Sequence, residues 1–432
     1  MEKKKDILEG YWDSPLGVIP KGWEVKRVSE VFVPLHTFSF SRDQMTLNRQ
    51  KLHYVHYGDI HVNVEKDYVD LKKDQLPYVC DGLIPDEKLK SEDFPYLKNG
   101  DILLADASED YDGVGKPWEL IDISNQKVIG GLHTLALRSY TGDVVVGFGR
   151  YIFKNSLGAK FLKRIAQGTK VYAINFNFIS KLNIVLPPAG EQYKIMEILS
   201  LWDKAICIQS TLIEKLKLRK KGLMQQLLTG KKRLKSFKDE WNIVKIEDFA
   251  NEYIELNKQK EELTVLSCTK YRGLVSSLEY FGKQVYSEDR RHYKIVPIYS
   301  FAYATNHIEE GSIGYQTGYD KALISPMYTV FTTSERVNNN FLYLLLKTHR
   351  YIAEYRKRME GSIDRRGGLR WNSFSKIKIA LPSLAEQKAI AEILSSADRE
   401  IALAKQKLEF FKVQKKGLMQ QLLTGKTRVK PE

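Results

Sequence analysis

The stretch KKGLMQQLLTGK occupies Lys220–Lys231 and recurs unchanged at Lys415–Lys426. Extended backwards without a gap, Leu186–Lys231 aligns with Leu381–Lys426, and 25 of 46 positions are identical, which marks a duplication. Both copies open on Leu-Pro (Leu186-Pro187, Leu381-Pro382), continue with Glu-Gln (Glu191-Gln192, Glu386-Gln387) and then settle into a long apolar periodicity. In the first copy Leu199, Trp202, Ile206, Ile213, Leu216, Leu223 and Leu227 follow spacings of three and four, broken by Gln209 and Lys220. The second copy places Leu394, Ala397, Ile401, Leu408, Phe411, Leu418 and Leu422 there, with Ala404 and Lys415 at the breaks. Such a seam runs along one side of a helix, and two seams bury each other as a coiled coil. The leading proline, the early acid and the Thr-Gly-Lys finish read as helix start and stop signals. About 38 residues at roughly 1.5 Å each predict a rod of about 57 Å.

Two such helices in one chain most simply pair antiparallel with each other. The expected fold is therefore α+β, with two globular domains separated by two long helices pairing as an antiparallel coiled coil, pseudo-two-fold symmetric. The boundaries read as 1–185 for the first globule, 186–233 for the central helix, 234–380 for the second globule and 381–432 for the C-terminal helix. Within the dodecamers even the polar residues match: Lys221, Gln225, Gln226 and Thr229 equal Lys416, Gln420, Gln421 and Thr424. Core packing does not require that, so these residues are candidates for binding two copies of one partner. The plainer alternative is a recent duplication with a shared helix cap.

A chain of 432 residues exceeds one ordinary core. Hydrophobic residues make up 43% and charged residues 28%, as in a soluble globular protein. No apolar run reaches membrane-spanning length, and no secretory signal is expected from MEKKKDILEGYWDSP. Three scattered cysteines read as reduced thiols, which points to the cytoplasm. The net charge is +15. It is unevenly placed: residues 1–122 sum to −8 and residues 123–185 to +8, with no acid between Asp143 and Glu191. That polarity suggests a basic face for a polyanion, with a merely solvated surface as the alternative.

A weaker repeat frames the globules. GWEVKRVSEVF from Gly22 matches EWNIVKIEDFA from Glu240, and Asn177, Ser180 and Lys181 match Asn372, Ser375 and Lys376. Between these ends the sequences share little and mix short strands with Gly-rich turns such as GGLHTLALRS and SPMYTVFTT, with one helix expected near each end. Loops carrying cations, aromatics and amides suit phosphates and base edges. The DNA-binding candidates are Arg42, Lys170, Tyr172 and Asn175 in the first globule. In the second they are Lys270 and Arg272, Arg290 and Arg291, then Arg365, Arg366 and Arg370.

No catalytic or metal signal emerges. HYVHYGDIHV sets His53, His56 and His61 in an alternating run that reads as strand positions. SEDYDGVGKPWE lacks the first aspartate of a calcium loop and carries Pro117 inside. Gly425-Lys426-Thr427 has Gln420 where a phosphate loop needs glycine. No nucleophile–base pair stands out, so a non-enzymatic chain is expected.

The order globule–helix–globule–helix, with LPPAGEQYKIMEIL and LPSLAEQKAIAEIL opening the helices and KKGLMQQLLTGK closing them, resembles the specificity subunit of type I restriction–modification systems. GWEVKRVSEVF, ADASEDYDGVGK and ISPMYTVF look like pieces of that family's target recognition domains. The resemblance implies that each globule reads one half of a bipartite, asymmetric site in double-stranded DNA while the helices set the spacer. It also implies two methyltransferase subunits docked on the chain, with two restriction subunits able to join. S-adenosylmethionine, ATP and Mg would then belong to those partners, and no cofactor to this chain. The rival readings are a coiled-coil scaffold joining two protein-binding domains, a specificity module of a restriction–methylation enzyme outside type I, and a stand-alone nuclease or methyltransferase.

Overall fold

A computed structural model describes residues 9–62, 66–111, 113–168, 170–359 and 368–430. The chain divides into two compact units, Met1–Ser210 with Gln406–Glu432, and Thr211–Lys405.

In the first unit the strand after Trp23, Glu24–Arg27, pairs antiparallel with Asn183–Leu186, Glu24 opposite Leu186. A five-stranded sheet follows, ordered Phe32–Leu35, Thr134–Ser139, Ile102–Ala105, Pro117–Asp122, Tyr68–Asp70, with only the last pair parallel. Ile102–Ala105 is buried throughout, so its continuous apolar run suits a central strand with both faces covered. A second sheet is ordered Val128–Gly130, Leu52–Val55, Tyr78–Val79, Met45–Thr46. The second unit repeats the plan. Asn242–Lys245 pairs with Lys378–Leu381, Asn242 opposite Leu381. One sheet runs Ala250–Glu252, Tyr328–Thr333, Phe301–Ala304, Ile313–Tyr315, and the other Gly273–Ser276, Val265–Thr269, Lys321–Ile324, Lys294–Pro297.

The shared frame thus reaches well beyond the matching ends of the sequences. Thr134 faces Ala105 in the first unit as Tyr328 faces Ala304 in the second. The parallel pairing of Val128–Gly130 on Leu52–Val55 has its counterpart in Lys321–Ile324 on Val265–Thr269. Two local expectations are corrected. In place of one helix near the end, each unit has two consecutive short helices, Gly149–Lys154 and Ser156–Ile165, then Asn339–Leu346 and His349–Arg358, and a single helical turn, Phe176–Ile179 or Trp371–Phe374, before its last strand. Asn155 divides the first pair, extended and accepting from the Leu157 and Gly158 amides, as an N-cap does. The histidine run is also not all strand. Asp59 accepts from the His56 amide at 2.9 Å and nucleates the helix Tyr57–Val62, which takes His61 out of the sheet.

The two long helices are Ala189–Leu227 and Leu384–Leu422. The seam is their buried face: Leu199, Ile206, Ile213, Leu216 and Leu227 on one, Leu394, Ala397, Ile401, Leu408 and Leu422 on the other. They pair antiparallel. In the first unit Trp202 meets Phe411 edge-on, ring centroids 5.8 Å apart, and Lys415 is bonded to Asp203. In the second, Lys220 Nζ lies 2.5 Å from Asp398 Oδ1 and Arg219 is bonded to Glu400. Lys415 and Lys220, the polar breaks of the periodicity, are therefore ion-pair partners of the duplicated aspartates. Polar seam residues of this kind fix register.

Glu-Gln does more than start a helix. The buried Glu191 carboxylate accepts from Trp23 Nε1 at 3.1 Å and from Arg428 at 2.7 Å. Glu386 accepts from Trp241 Nε1 at 3.3 Å and from Arg233 at 2.7 Å. Gln192 donates to Pro187 O at 2.8 Å and accepts from the Val145 amide at 2.9 Å. Gln387 does the same with Pro382 O, at 2.9 Å, and the Asn338 amide, at 2.8 Å. Gly425 and Gly230 end the helices in the left-handed conformation, and a methyl group on Gly425 would sit 2.2 Å from Pro20. In each unit these contacts bind the helix start, the helix end and the first strand into one core.

Candidate nucleic-acid interface

In the first unit the loop after the central strand and the loop before Asn183–Leu186 come together. Ala107–Ser108 pairs with Tyr172–Ala173, and the Ile174 amide donates to Asp106 O at 2.8 Å. Tyr172 stands edge-on to Tyr111, centroids 4.9 Å apart, and Lys163 lies 5.8 Å over the Tyr111 ring. Lys170 is exposed beside them. Asn175 is exposed too, but its Oδ1 accepts from the Phe178 amide at 3.2 Å, which makes it the N-cap of Phe176–Ile179. Arg42 spreads over Gly58, where a methyl group would come 2.5 Å from its Nη2. The neighbouring His56 has its pKa lowered by burial and by the Arg42 charge.

Three further residues belong to this face and were missed in the sequence: Tyr57, Asp106 and His133. The His133 ring meets Tyr57 edge-on at 5.4 Å, and its Nδ1 lies 3.4 Å from Asp106 Oδ1. Burial raises the Asp106 pKa, with His133 opposing the shift. A histidine after two glycines in GGLHTLALRS was the available signal, since a tight turn there exposes the side chain. Within the calcium-like SEDYDGVGKPWE the Gly113 amide donates to Asp110 O at 3.0 Å, and its last three residues open the strand Pro117–Asp122.

The first unit also holds a buried charge cluster. Burial alone would raise the Asp67 pKa, but Lys154 at 2.5 Å and Arg150 at 3.1 Å hold it down. Glu119 is fully buried and accepts from the Gly147 and Arg150 amides at 2.5 and 2.9 Å; burial pushes its pKa up to about 7.

In the second unit Lys270 and Arg272 sit at the tip of the hairpin formed by Val265–Thr269 and Gly273–Ser276. Lys270 lies over Tyr271, a side chain 85% exposed, and Arg272 over Tyr280, at 5.4 and 5.8 Å. This is a cationic-aromatic tip free to meet a polyanion. Arg290 and Arg291 differ: Arg290 pairs with Glu262 at 3.4 Å and Arg291 with Asp289 at 2.7 Å. Their cleft also holds Glu261 and Glu288 beside Lys260, so it carries no net positive charge. Arg370 precedes Trp371–Phe374 at the N-cap position, the counterpart of Asn175. Arg365 and Arg366 lie outside the described residues. His307, Glu309 and Glu310 are the one group of three such residues at ligand distance among the described residues, with His307 and Glu310 exposed.

In the dodecamers Lys221, Gln225 and Gln226 are exposed, as are Lys416, Gln420 and Gln421. The hydroxyls of Thr229, itself exposed, and Thr424 each donate at 2.6 Å to the carbonyl four residues back in their own helices. In the first unit Lys416 and Gln420 line a 520 Å³ cleft with Lys154, Lys415, Ile206 and Met419, an apolar floor ringed by ammonium groups. No helix among the described residues is long and apolar enough to cross a membrane.

The family model of the type I restriction modification DNA specificity domain matches residues 20–218 and 238–410, and the chain belongs to that family. It is a non-catalytic specificity subunit of a type I restriction–modification system, with two target recognition domains. The MjaX type I restriction enzyme specificity subunit of Methanocaldococcus jannaschii is 26% identical, the match covering 98% of this chain and 97% of that one. The MjaVIII specificity subunit of the same organism is 28% identical over 65% of this chain and 70% of its own. A chain from a solved structure on complex assembly and conformational transition of the type I R-M system has a TM-score of 0.60 at 14% identity, covering 95% of this chain and 99% of that one. That last likeness concerns the fold alone.

Proposed function

We propose that the two target recognition domains, residues 1–185 and 234–380, each read one half of a bipartite, asymmetric site in double-stranded DNA. The helical segments 186–233 and 381–432 set the unread spacer. Two copies of a methyltransferase subunit dock on the exposed dodecamer residues, and restriction subunits join that complex. S-adenosylmethionine, ATP and Mg serve those partners, and the complex works in the cytoplasm. The observation that carries this reading is duplication with selective divergence. The Trp–Glu–Arg and Gln–Pro contacts recur in both units, and so do the exposed helix residues, whereas the loops beside the sheets differ. Identical surfaces suit two identical partners; different loops suit two different sequences.

Native mass spectrometry of this chain with its methyltransferase subunit tests the docking. A complex of one chain with two methyltransferase subunits is expected, falling to fewer when Lys221, Gln225 and Gln226 are changed to Ala. A DNA affinity that does not change with salt would contradict the polyanion reading.

A further inference from the structure

The two recognition domains present one turn at the same place in the shared frame, and they fill it with different chemistry. In the first unit the Thr134 amide closes the turn on Gly131 O at 3.2 Å; in the second the Tyr328 amide closes it on Ser325 O at 3.1 Å. His133 and Met327 are the last residues of these turns, each directly before a strand that faces the central strand at Ala105 or Ala304. The residue after that central strand is Asp106 in one unit and Thr305 in the other. Each carbonyl accepts from the incoming loop, from the Ile174 amide at 2.8 Å and the Leu369 amide at 2.9 Å. Position 106 therefore corresponds to 305, and 133 to 327.

The hydrogen-bonding frame agrees while the side chains do not, and of the two turn residues only His133 has a positive φ. His133 holds φ 55°, a conformation that histidine tolerates better than most residues but that still costs energy. Its ring lies against the Tyr57 edge at 5.4 Å, with the Asp106 carboxylate 3.4 Å from Nδ1, and the side chain is about half exposed. At the corresponding place Thr305 Oγ1 donates to Met327 O at 2.9 Å, and Met327 is 62% exposed. Exposed and chemically distinct at one place in a shared frame is what residues that read two different sequences require; the left-handed backbone suits histidine but does not demand it, and nothing in the turn calls for methionine at 327.

Resting on the reading of these domains as DNA readers, we propose that this turn is a base-contacting position in both. His133, positioned by Asp106, hydrogen-bonds a purine edge in the first half-site. Met327 makes an apolar contact with a thymine methyl group in the second. Each determines one base of its own half-site.

The test is genome-wide methylation mapping in a host without other modification, with this chain co-expressed with its methyltransferase subunit. His133→Ala, His133→Asn and Met327→Ala are compared with the parent chain. Both side chains are at least about half exposed, so truncation removes no core packing. His133→Asn keeps a residue suited to the left-handed backbone. Expected is a loss of preference of about tenfold at one base of one half-site for both His133 variants. Met327→Ala should do the same at one base of the other half, with the spacer unchanged throughout. A motif unaltered by all three variants, or an equal decline across both halves, overturns the assignment. A parent chain that directs no bipartite motif would instead overturn the reading on which it rests.

Discussion

Arg428 reaches back 237 positions to place Nη2 2.7 Å from Glu191 Oε1, and Arg233 repeats the contact on Glu386 at 2.7 Å. Each arginine lies two residues beyond a Thr-Gly-Lys helix end, and each closes a buried carboxylate that belongs to the start of the other long helix. The lock is one reason why the dodecamer and Glu-Gln recur together.

Breaking that lock should cost stability. Arg428→Ala leaves Glu191 buried with Trp23 as its one side-chain donor among the described residues. Arg428 is 44% exposed, so water replaces part of what is lost, and about 1–2 kcal/mol is expected. Glu191→Ala should cost no less, since Trp23 loses its acceptor too. Chemical denaturation of both variants checks the order.

The duplicated ion pairs should respond unequally to one substitution. Lys415 and Asp203 are 7% and 15% exposed, whereas Lys220 and Asp398 are 20% and 54%. Lys415→Met strands a mostly buried carboxylate and should cost about 3 kcal/mol. Lys220→Met leaves Asp398 in water and should cost under about 1 kcal/mol. Equal losses in denaturant titrations would contradict the burial difference.

The hairpin tip of the second domain should contribute phosphate contacts. Lys270→Ala with Arg272→Ala is expected to lower the slope of log affinity against log salt by up to about 2. Titration of the complex on its methylation site over a range of salt measures it. The first half-site should keep its sequence preference in that variant.

Glu119 gives a pH dependence with a definite sign. Its pKa in the folded chain is raised to about 7 by burial, above that of an exposed glutamate. The protonated form is thus favoured by folding, so its contribution is full at low pH and is lost as pH rises from the ordinary carboxylate range through about 7. Melting temperatures of Glu119→Gln should show less decline across that window than the parent chain.

The helices were legible because a seam repeats every three or four residues, and a duplication writes it twice. Trp202 and Phe411, Lys415 and Asp203 then meet as antiparallel pairing requires. Trp23 and Glu191 were visible as repeated letters, but not as partners, because their contact spans 168 positions and depends on the fold. The strand frame was legible only at its ends. Its middle is set by long-range pairing between short strands, and the residues in the loops diverged. His133 and Met327 share a place in that frame without sharing any chemistry, so no comparison of letters could align them. Asn175 illustrates the opposite case: an amide at an expected reading position that also caps a helix.

Methylation mapping of the parent complex tests the central claim most directly. A split motif with a fixed gap, present only when this chain is expressed with its methyltransferase subunit, is the predicted result. An uninterrupted motif, or methylation that does not depend on this chain, would contradict the account.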